Sequence, residues 1–166
     1  MTVAVSALLA KVMHSGLVDV LLVPLRNPAG DAVTPALVKN PALLAEADPL
    51  APVLPVNGAP PVSMLTQHSP RPRIGAVMRS CEIRALVELV KLQQATLEGM
   101  TLIGVDCTGT CDVPDYAKMA QGANAATLAL RPACEMCEYP APANADIVIQ
   151  QIGVDNSTAL HVEAKG

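Results

Sequence analysis

The residues of this 166-residue chain whose types and spacing carry chemistry are its five cysteines. Cys134 and Cys137 form a CxxC in LRPACEMCEYP, Cys107 and Cys111 close the run GVDCTGTC upstream of it, and Cys81 opens CEIRALVELVKL. A lone cysteine is most often a small buried hydrophobe, and a single CxxC also fits a thioredoxin-like redox pair. Here no strand and helix flank the CxxC as that motif requires. Two paired sets and a fifth cysteine make a four-thiolate site the stronger reading. Thiolates suit zinc or an iron–sulfur cluster, and spacing leaves both open. Zinc would make the site structural, coupling about 10–16 kcal/mol of metal binding to folding as in zinc fingers.

Other chemistries lack their residues. His14, His68 and His161 have no metal-ligand spacing relative to one another and read as structural or solvent-exposed. There is no Ser-His-Asp constellation, no phosphate loop and no pair of carboxylates placed for hydrolysis. The formal net charge is −4 and the basic residues are scattered, which argues against a nucleic-acid phosphate binder. The apolar run LVDVLLVPL is too short for a membrane span and is interrupted by Asp19 and Pro24. MTVAVSALLAKVMHSG is a poor signal peptide, since Lys11 follows the apolar run. The chain reads as cytoplasmic, where thiols stay reduced and cysteines serve metal or redox chemistry rather than disulfides.

The elements that must position these thiols are built almost without aromatics. The hydrophobic fraction is 51%, yet Tyr116 and Tyr139 are the only aromatic residues. The core must be Leu, Val, Ile, Met and Ala, without the large buried areas that anchor aromatic cores. A cofactor or partner surface would supply that anchoring; a GC-rich genome favouring Ala, Val and Pro is the plain alternative. A chain of this length is expected to be one domain, residues 1–166, burying about 70% of its unfolded surface.

In SALLAKVMHSG the spacing of Leu8, Leu9, Val12 and Met13 predicts a helix stopped at Gly16. LVDVLLVPL follows as a buried strand ended by Pro24. Eleven of the fifteen prolines lie between Pro24 and Pro72, so residues 24–73 read as a Pro-rich wrapping loop that buries its Leu and Val. Short helical turns are expected there around Ala36–Lys39 and Ala42–Ala47. Beyond it IGAVMRS reads as a strand, CEIRALVELVKLQQ as a helix with Ile83, Leu86, Leu89 and Val90 on one face, and MTLIGVDC as the next strand. Strand, helix, strand predicts a right-handed crossover and a parallel pair. AATLALRP and ADIVIQQIGVD are later strand candidates, and ALHVEA an edge strand. The fold class is α/β: a small, mostly parallel sheet with flanking helices and the long Pro-rich segment. Cys81 and Cys107 then fall at the carboxyl ends of parallel strands, where open α/β sheets bind ligands. Cys81 also begins a helix, whose N–H groups favour a thiolate or an anionic cluster. Cys134 and Cys137 follow a further strand candidate, and Pro132 and Pro140 stiffen their loop.

The order GLVDVLLVP, RSCEIRALVELVKLQQ, LIGVDCTGT and ACEMCEYPAPANADIVI resembles the coenzyme F-420 hydrogenase/dehydrogenase beta-subunit family, which includes formate dehydrogenase beta subunits. The resemblance runs from the first helix to about Asp155. It implies an iron–sulfur flavoprotein with one [4Fe–4S] cluster beside FAD, and cluster ligands at Cys81, Cys107, Cys134 and Cys137. Cys111 is then extra, although the cysteines alone also permit the set in which it replaces Cys81. Thr2 and Val3 stand where members often carry Gly-Gly, and the chain stops where many continue, which suggests a piece of a split protein or a subunit completed by its neighbour.

The resemblance sets Asn57 and Gly58 of LPVNGAPP in a flavin-facing loop; an ordinary turn explains them equally. Thr108 and Gly109, just after Cys107, would bring backbone close to a cofactor. Arg79 would balance cluster charge or form an exposed salt bridge, and Glu82 and Glu88 read as helix surface. The resulting expectation is an electron-transfer subunit, non-catalytic or flavin-bearing. It would sit within a formate dehydrogenase, hydrogenase or heterodisulfide-reductase-like complex. It would dock a larger redox subunit near the Cys107 and Cys134 loops, with no nucleic acid and no membrane span. The alternative is a structural zinc-binding adaptor without redox activity; a cofactor-free scaffold is weaker.

Overall fold

A computed structural model describes residues 1–67, 72–122 and 128–165. Six strands form one mixed sheet in the order β2-β1-β3-β4-β5-β6. They are β1 (Val20–Arg26), β2 (Val33–Val38), β3 (Ile74–Arg79), β4 (Met100–Val105), β5 (Ile147–Gln150) and β6 (His161–Ala164). The central strands β1, β3, β4 and β5 run parallel, while β2 and β6 close the two edges antiparallel. The α/β, mostly parallel architecture read from the sequence is the one observed.

Both faces of the sheet are covered, so β3 is buried along its whole length, as expected of a parallel strand sandwiched between layers. On one face α1 (Thr2–His14) and a 3-10 helix (Pro41–Glu46) pack Val5, Leu9, Val12 and Leu44 onto Leu21, Val77, Ile103 and Ile149. On the other, α2 (Ala59–Thr66) and α3 (Ser80–Lys91) pack Val62, Ile83 and Leu86 onto Ala76, Met78 and Leu102. Burying each such aliphatic side chain contributes about 1.5–3 kcal/mol. Close packing leaves no room for growth at Gly104 of β4, where an added Cβ would lie 2.5 Å from Pro142 Cγ. The chain that follows Cys137 is thereby pressed onto the sheet.

Several boundaries differ from the sequence reading. β1 runs through Pro24, which pairs with Pro35 of β2. Neither proline has an N–H to give, so the two can face each other as a non-hydrogen-bonded pair of the antiparallel ladder. On the other side of β1 the pairing with β3 stops at Leu22, before the missing N–H would matter. The segment 24–73 is accordingly only part loop. The turn expected at Ala36–Lys39 is strand β2, held in register by β1, whereas the turn expected at Ala42–Ala47 is the 3-10 helix, started by the Asn40 side chain accepting from Ala42 N–H at 3.1 Å. Pro60 and Pro61 lie in the first turn of α2, where a helix needs no N–H from them. Val33, Val38, Leu44 and Val53 are buried, but Leu37, Leu43 and Val56 remain exposed. Of the AATLALRP strand candidate, Leu128 to Arg131 form no strand, and its preceding residues lie outside the described residues, as does His68. Among the described residues there are two further helices, α4 (Val113–Ala120) and the single turn α5 (Pro132–Glu135).

The open end of β1 is tied to β3 by charge. Arg73 donates to Asp19 from its backbone N–H at 2.8 Å and from its guanidinium at 2.7 and 3.2 Å. These hydrogen bonds hold the Asp19 carboxyl down to about 2 from its ordinary 3.8. A carboxyl depressed in the folded state stabilises the fold above its unfolded pKa and loses that contribution as pH falls through the folded one. Wild type is therefore expected to lose stability between pH 3.8 and about 2 in a step that Asp19→Asn lacks, as followed by urea unfolding across that range.

Candidate metal centre

Parallel register sets the level of the site. β3 and β4 pair from Ile74↔Met100 to Arg79↔Val105, so Ser80-Cys81 and Asp106-Cys107 leave the sheet side by side at its carboxyl edge. The Cys107 thiol is near enough to act electrostatically on Cys81. From across the edge the 128–140 chain brings Cys134, on α5, and Cys137, just beyond it. All four thiols line one pocket of about 380 Å³, together with Leu54, Arg79, Thr108, Gly109, Thr110, Arg131, Tyr139 and Ile152. All five cysteines are free thiols.

Cys111 is elsewhere. It is 1% exposed in a small apolar cluster with Val33, Val53 and Tyr116, and its Sγ donates to Pro52 O at 3.0 Å. Burial pushes its thiol up, as suits a neutral packing residue. Asn57 and Gly58 do not line the thiol pocket. The Asn57 carboxamide accepts from Ala59 N–H at 2.8 Å, and Gly58 N–H donates to Glu82 at 2.7 Å. Thr108 and Gly109 do line it, so of the two pairs assigned to flavin one lines this pocket and the other does not. Gly109 has φ +106° and carries Leu130 packed where a Cβ would project, 2.8 Å away; that left-handed backbone suits only glycine.

The loops around the pocket are clamped by backbone. Cys107 N–H donates to Pro140 O at 2.9 Å and Cys111 N–H to Pro52 O at 2.8 Å. Arg131 N–H donates to Thr110 O at 2.9 Å, and its guanidinium to Leu54 O at 3.0 Å. The Asp106 carboxylate accepts Gln151 and Ile152 N–H at 2.9 and 3.1 Å, which sets Ile152 on the pocket wall. Arg84 stacks on Tyr139 with its guanidinium 4.6 Å from the ring centre, the attraction of a cation for an aromatic face.

Beneath Cys81 lies a buried polar hinge. Arg79 is 5% exposed, and its guanidinium donates to Val53 O at 2.9 Å and to Ala51 O. It forms no salt bridge among the described residues, so the exposed ion pair considered for it is not what the fold uses. Glu82 is 4% exposed, not helix surface. Its carboxylate accepts Arg79 N–H at 2.9 Å and Gly58 N–H at 2.7 Å, joining the starts of α3 and α2. Desolvation raises the Glu82 carboxyl against these two donors. Desolvation also raises the Cys81 thiol, with Glu82 and Cys107 adding and Arg79 opposing. His14 and His161 do not line the pocket, and Glu88 is exposed in an ion pair with Lys91 at 2.7 Å.

Sequence reasoning missed Thr110, Arg131, Tyr139 and Ile152 as pocket residues. Thr110 and Tyr139 lie close to the cysteines in sequence, but Ile152 is held there only by long-range bonds. Among the described residues no three His, Cys, Asp or Glu side chains converge closely enough to hold a single metal ion. The four thiols instead surround a space.

The fold and site define a class: an α/β domain with a four-thiol pocket at the carboxyl edge of its parallel strands. Neither a family model nor a curated protein matches the chain. Among solved structures it is similar to a chain of the F420-reducing [NiFe] hydrogenase complex from Methanosarcina barkeri, with TM-score 0.51 and 15% identity over 71% of this chain and 42% of that one. The chain thus spans about two-fifths of that chain's length. At this identity the likeness is one of fold. Among the described residues no helix is long and apolar enough to cross a membrane.

Replacing Glu82 by Gln sets an amide N–H₂ against a backbone N–H on one side of the hinge. A buried unsatisfied donor costs about 1–3 kcal/mol. Glu82→Gln is expected to lose that much stability in urea denaturation at pH 7, while the exposed Glu88→Gln stays close to wild type.

Proposed function

We propose that this chain is an electron-transfer subunit of a multi-subunit oxidoreductase of hydrogenase, formate dehydrogenase or heterodisulfide-reductase type, holding a [4Fe–4S] cluster on Cys81, Cys107, Cys134 and Cys137. The observation that carries the reading is that these four thiols, drawn from three separate stretches of the sequence, line one pocket from which Cys111 is excluded. The donor set fits the group: a four-iron cluster takes four cysteine thiolates. A single zinc ion would draw four sulfurs to about 2.3 Å from one centre. Thiols spread around a cavity of about 380 Å³ suit a polynuclear group better. The fold likeness to a hydrogenase-complex chain agrees with this class of assembly.

A cluster supplies one-electron redox chemistry when bound. The chain's own residues hold and shield it. Leu54, Tyr139, Pro140 and Ile152 wall the pocket, and Arg79 and Arg131 set positive charge against the thiolates. Ligation requires the thiols to give up their protons, so Cys81, pushed up by burial, makes loading easier at higher pH. FAD belongs to the same proposal on the resemblance alone; Thr108 and Gly109 line the thiol pocket, whereas Asn57 and Gly58 do not. Leu130, Met136, Tyr139 and Ile152 leave apolar surface exposed beside the pocket. Such patches mark interfaces, and this one is where a larger redox subunit would dock.

Anaerobic purification followed by assay of iron, sulfide, zinc and flavin per chain tests the reading. Four irons and four sulfides per chain are expected for one such cluster; zinc without sulfide would replace this reading by the structural adaptor. Serine at Cys134 or Cys137 is expected to abolish the cluster absorption. Cys111→Ser should keep it, because a serine hydroxyl can still donate to Pro52 O. Loss of the cluster in Cys111→Ser with retention in Cys81→Ser would reverse the ligand assignment.

A further inference from the structure

We infer that the Thr110 hydroxyl is a hydrogen-bond donor to the Cys134 thiolate and raises the reduction potential of the site. The inference rests on the four-thiolate reading above and adds a positioning residue to it.

Thr110 is 2% exposed, lines the thiol pocket, and has its Oγ1 3.2 Å from Cys134 Sγ. In the free thiol either atom can donate. A ligating thiolate carries no proton, so the bond then runs in one direction, from hydroxyl to sulfur. The contact is held from both sides. Thr110 O accepts Arg131 N–H at 2.9 Å, and Arg131 O accepts Cys134 N–H at 2.8 Å. These two backbone bonds and the hydroxyl–sulfur bond close a small ring around Arg131. On its other flank Thr110 is followed by Cys111, pinned to Pro52 through both its N–H and its thiol. The backbone that carries donor and acceptor is therefore tied on both sides of the contact. Among the described residues, Cys134 is the ligand whose sulfur meets a side-chain hydroxyl, whereas the Cys81 thiol is met by the Glu82 backbone N–H.

Hydrogen bonds to cysteine sulfur are among the levers that set the potential of such sites. Reduction adds one electron, makes and breaks no bond and moves no proton. The electron comes from dithionite in a titration, or from a partner's donor group in a complex. The added charge is shared by the ligand sulfurs, and a donor at Cys134 stabilises the reduced form more than the oxidised one. Removing it favours the oxidised form.

The test compares full-length wild type, Thr110→Val and Thr110→Ser, purified anaerobically and titrated redox-potentiometrically by electron paramagnetic resonance. Valine keeps the shape and loses the donor; serine keeps the donor. The expected result is equal iron and sulfide in all three, a reduction equilibrium about tenfold less favourable in Thr110→Val, equivalent to a one-electron potential about 59 mV lower, and a wild-type value in Thr110→Ser. An unchanged potential in a fully loaded Thr110→Val overturns the inference and leaves the cluster reading standing. Equal shifts in both variants also overturn it, since packing would then be the cause. If Thr110→Val fails to load, Thr110→Ala takes its place in the same titration: a potential lowered against Thr110→Ser is expected, and an unchanged one overturns the inference. Wild type without iron and sulfide overturns both readings together.

Discussion

The pairing of β3 with β4 is the constraint on which the site depends. Six consecutive pairs bring Arg79 and Val105 to the same level at one sheet edge. Because the strands are parallel, the next residues of both leave in the same direction, and Cys81 and Cys107 come to share a pocket. A slip of one residue would turn every side chain of a strand to the other face. Val77, Ile103 and Val105 would then exchange the α1 layer for the α2–α3 layer, against the packing of both. Burial on two faces therefore protects the register, and the register holds two of the four thiols.

The remaining positioning is polar. Glu82 joins the starts of two helices by accepting one N–H from each, and Arg79 ties the end of β3 to two carbonyls of the Pro-rich segment. Both side chains are buried, and neither is neutralised by a direct salt bridge among the described residues. Their desolvation is offset by hydrogen bonds, as buried charge requires. With almost no aromatic surface to fix the edge of the core, these directional bonds orient α2, α3 and the 51–58 chain around the pocket mouth. Backbone bonds from Cys107, Cys111 and Arg131 do the same for the opposite rim.

This construction explains why the Pro-rich segment is less of a loop than its composition suggests. Proline is excluded from strands and helix interiors wherever a ladder needs its N–H, but not from non-hydrogen-bonded pairs of an edge ladder or from first turns. Pro24 and Pro35 face each other in β1 and β2, Pro41 opens a 3-10 helix, and Pro60 and Pro61 open α2. Each proline sits where no N–H is needed. The segment supplies the 3-10 helix to one face of the sheet and α2 to the other, together with the carbonyls that hold Arg79. The fold is shared at low identity with a hydrogenase-complex chain, while the thiols, the rim and the exposed apolar side chains beside them carry the functional proposal.

Local pattern was enough to read β3, α3 and β4, because alternating strand and helix periods there are long and uninterrupted, and enough to mark the cysteines as a thiolate constellation, while the choice of Cys81 over Cys111 rested on the family resemblance. It also placed the edge strand β6. It was not enough for Pro24, Glu82 or Cys111. Pro24 reads as a strand end until its partner Pro35 is known. Glu82 reads as surface until Gly58, 24 residues away, is seen to need an acceptor. Cys111 stands only four positions from Cys107, yet its thiol turns to Pro52 and not to the pocket. In each case the decision lies in a contact between chain segments far apart in sequence, which only the tertiary structure makes: residue type sets what a group can bond, and the fold sets which partner is there.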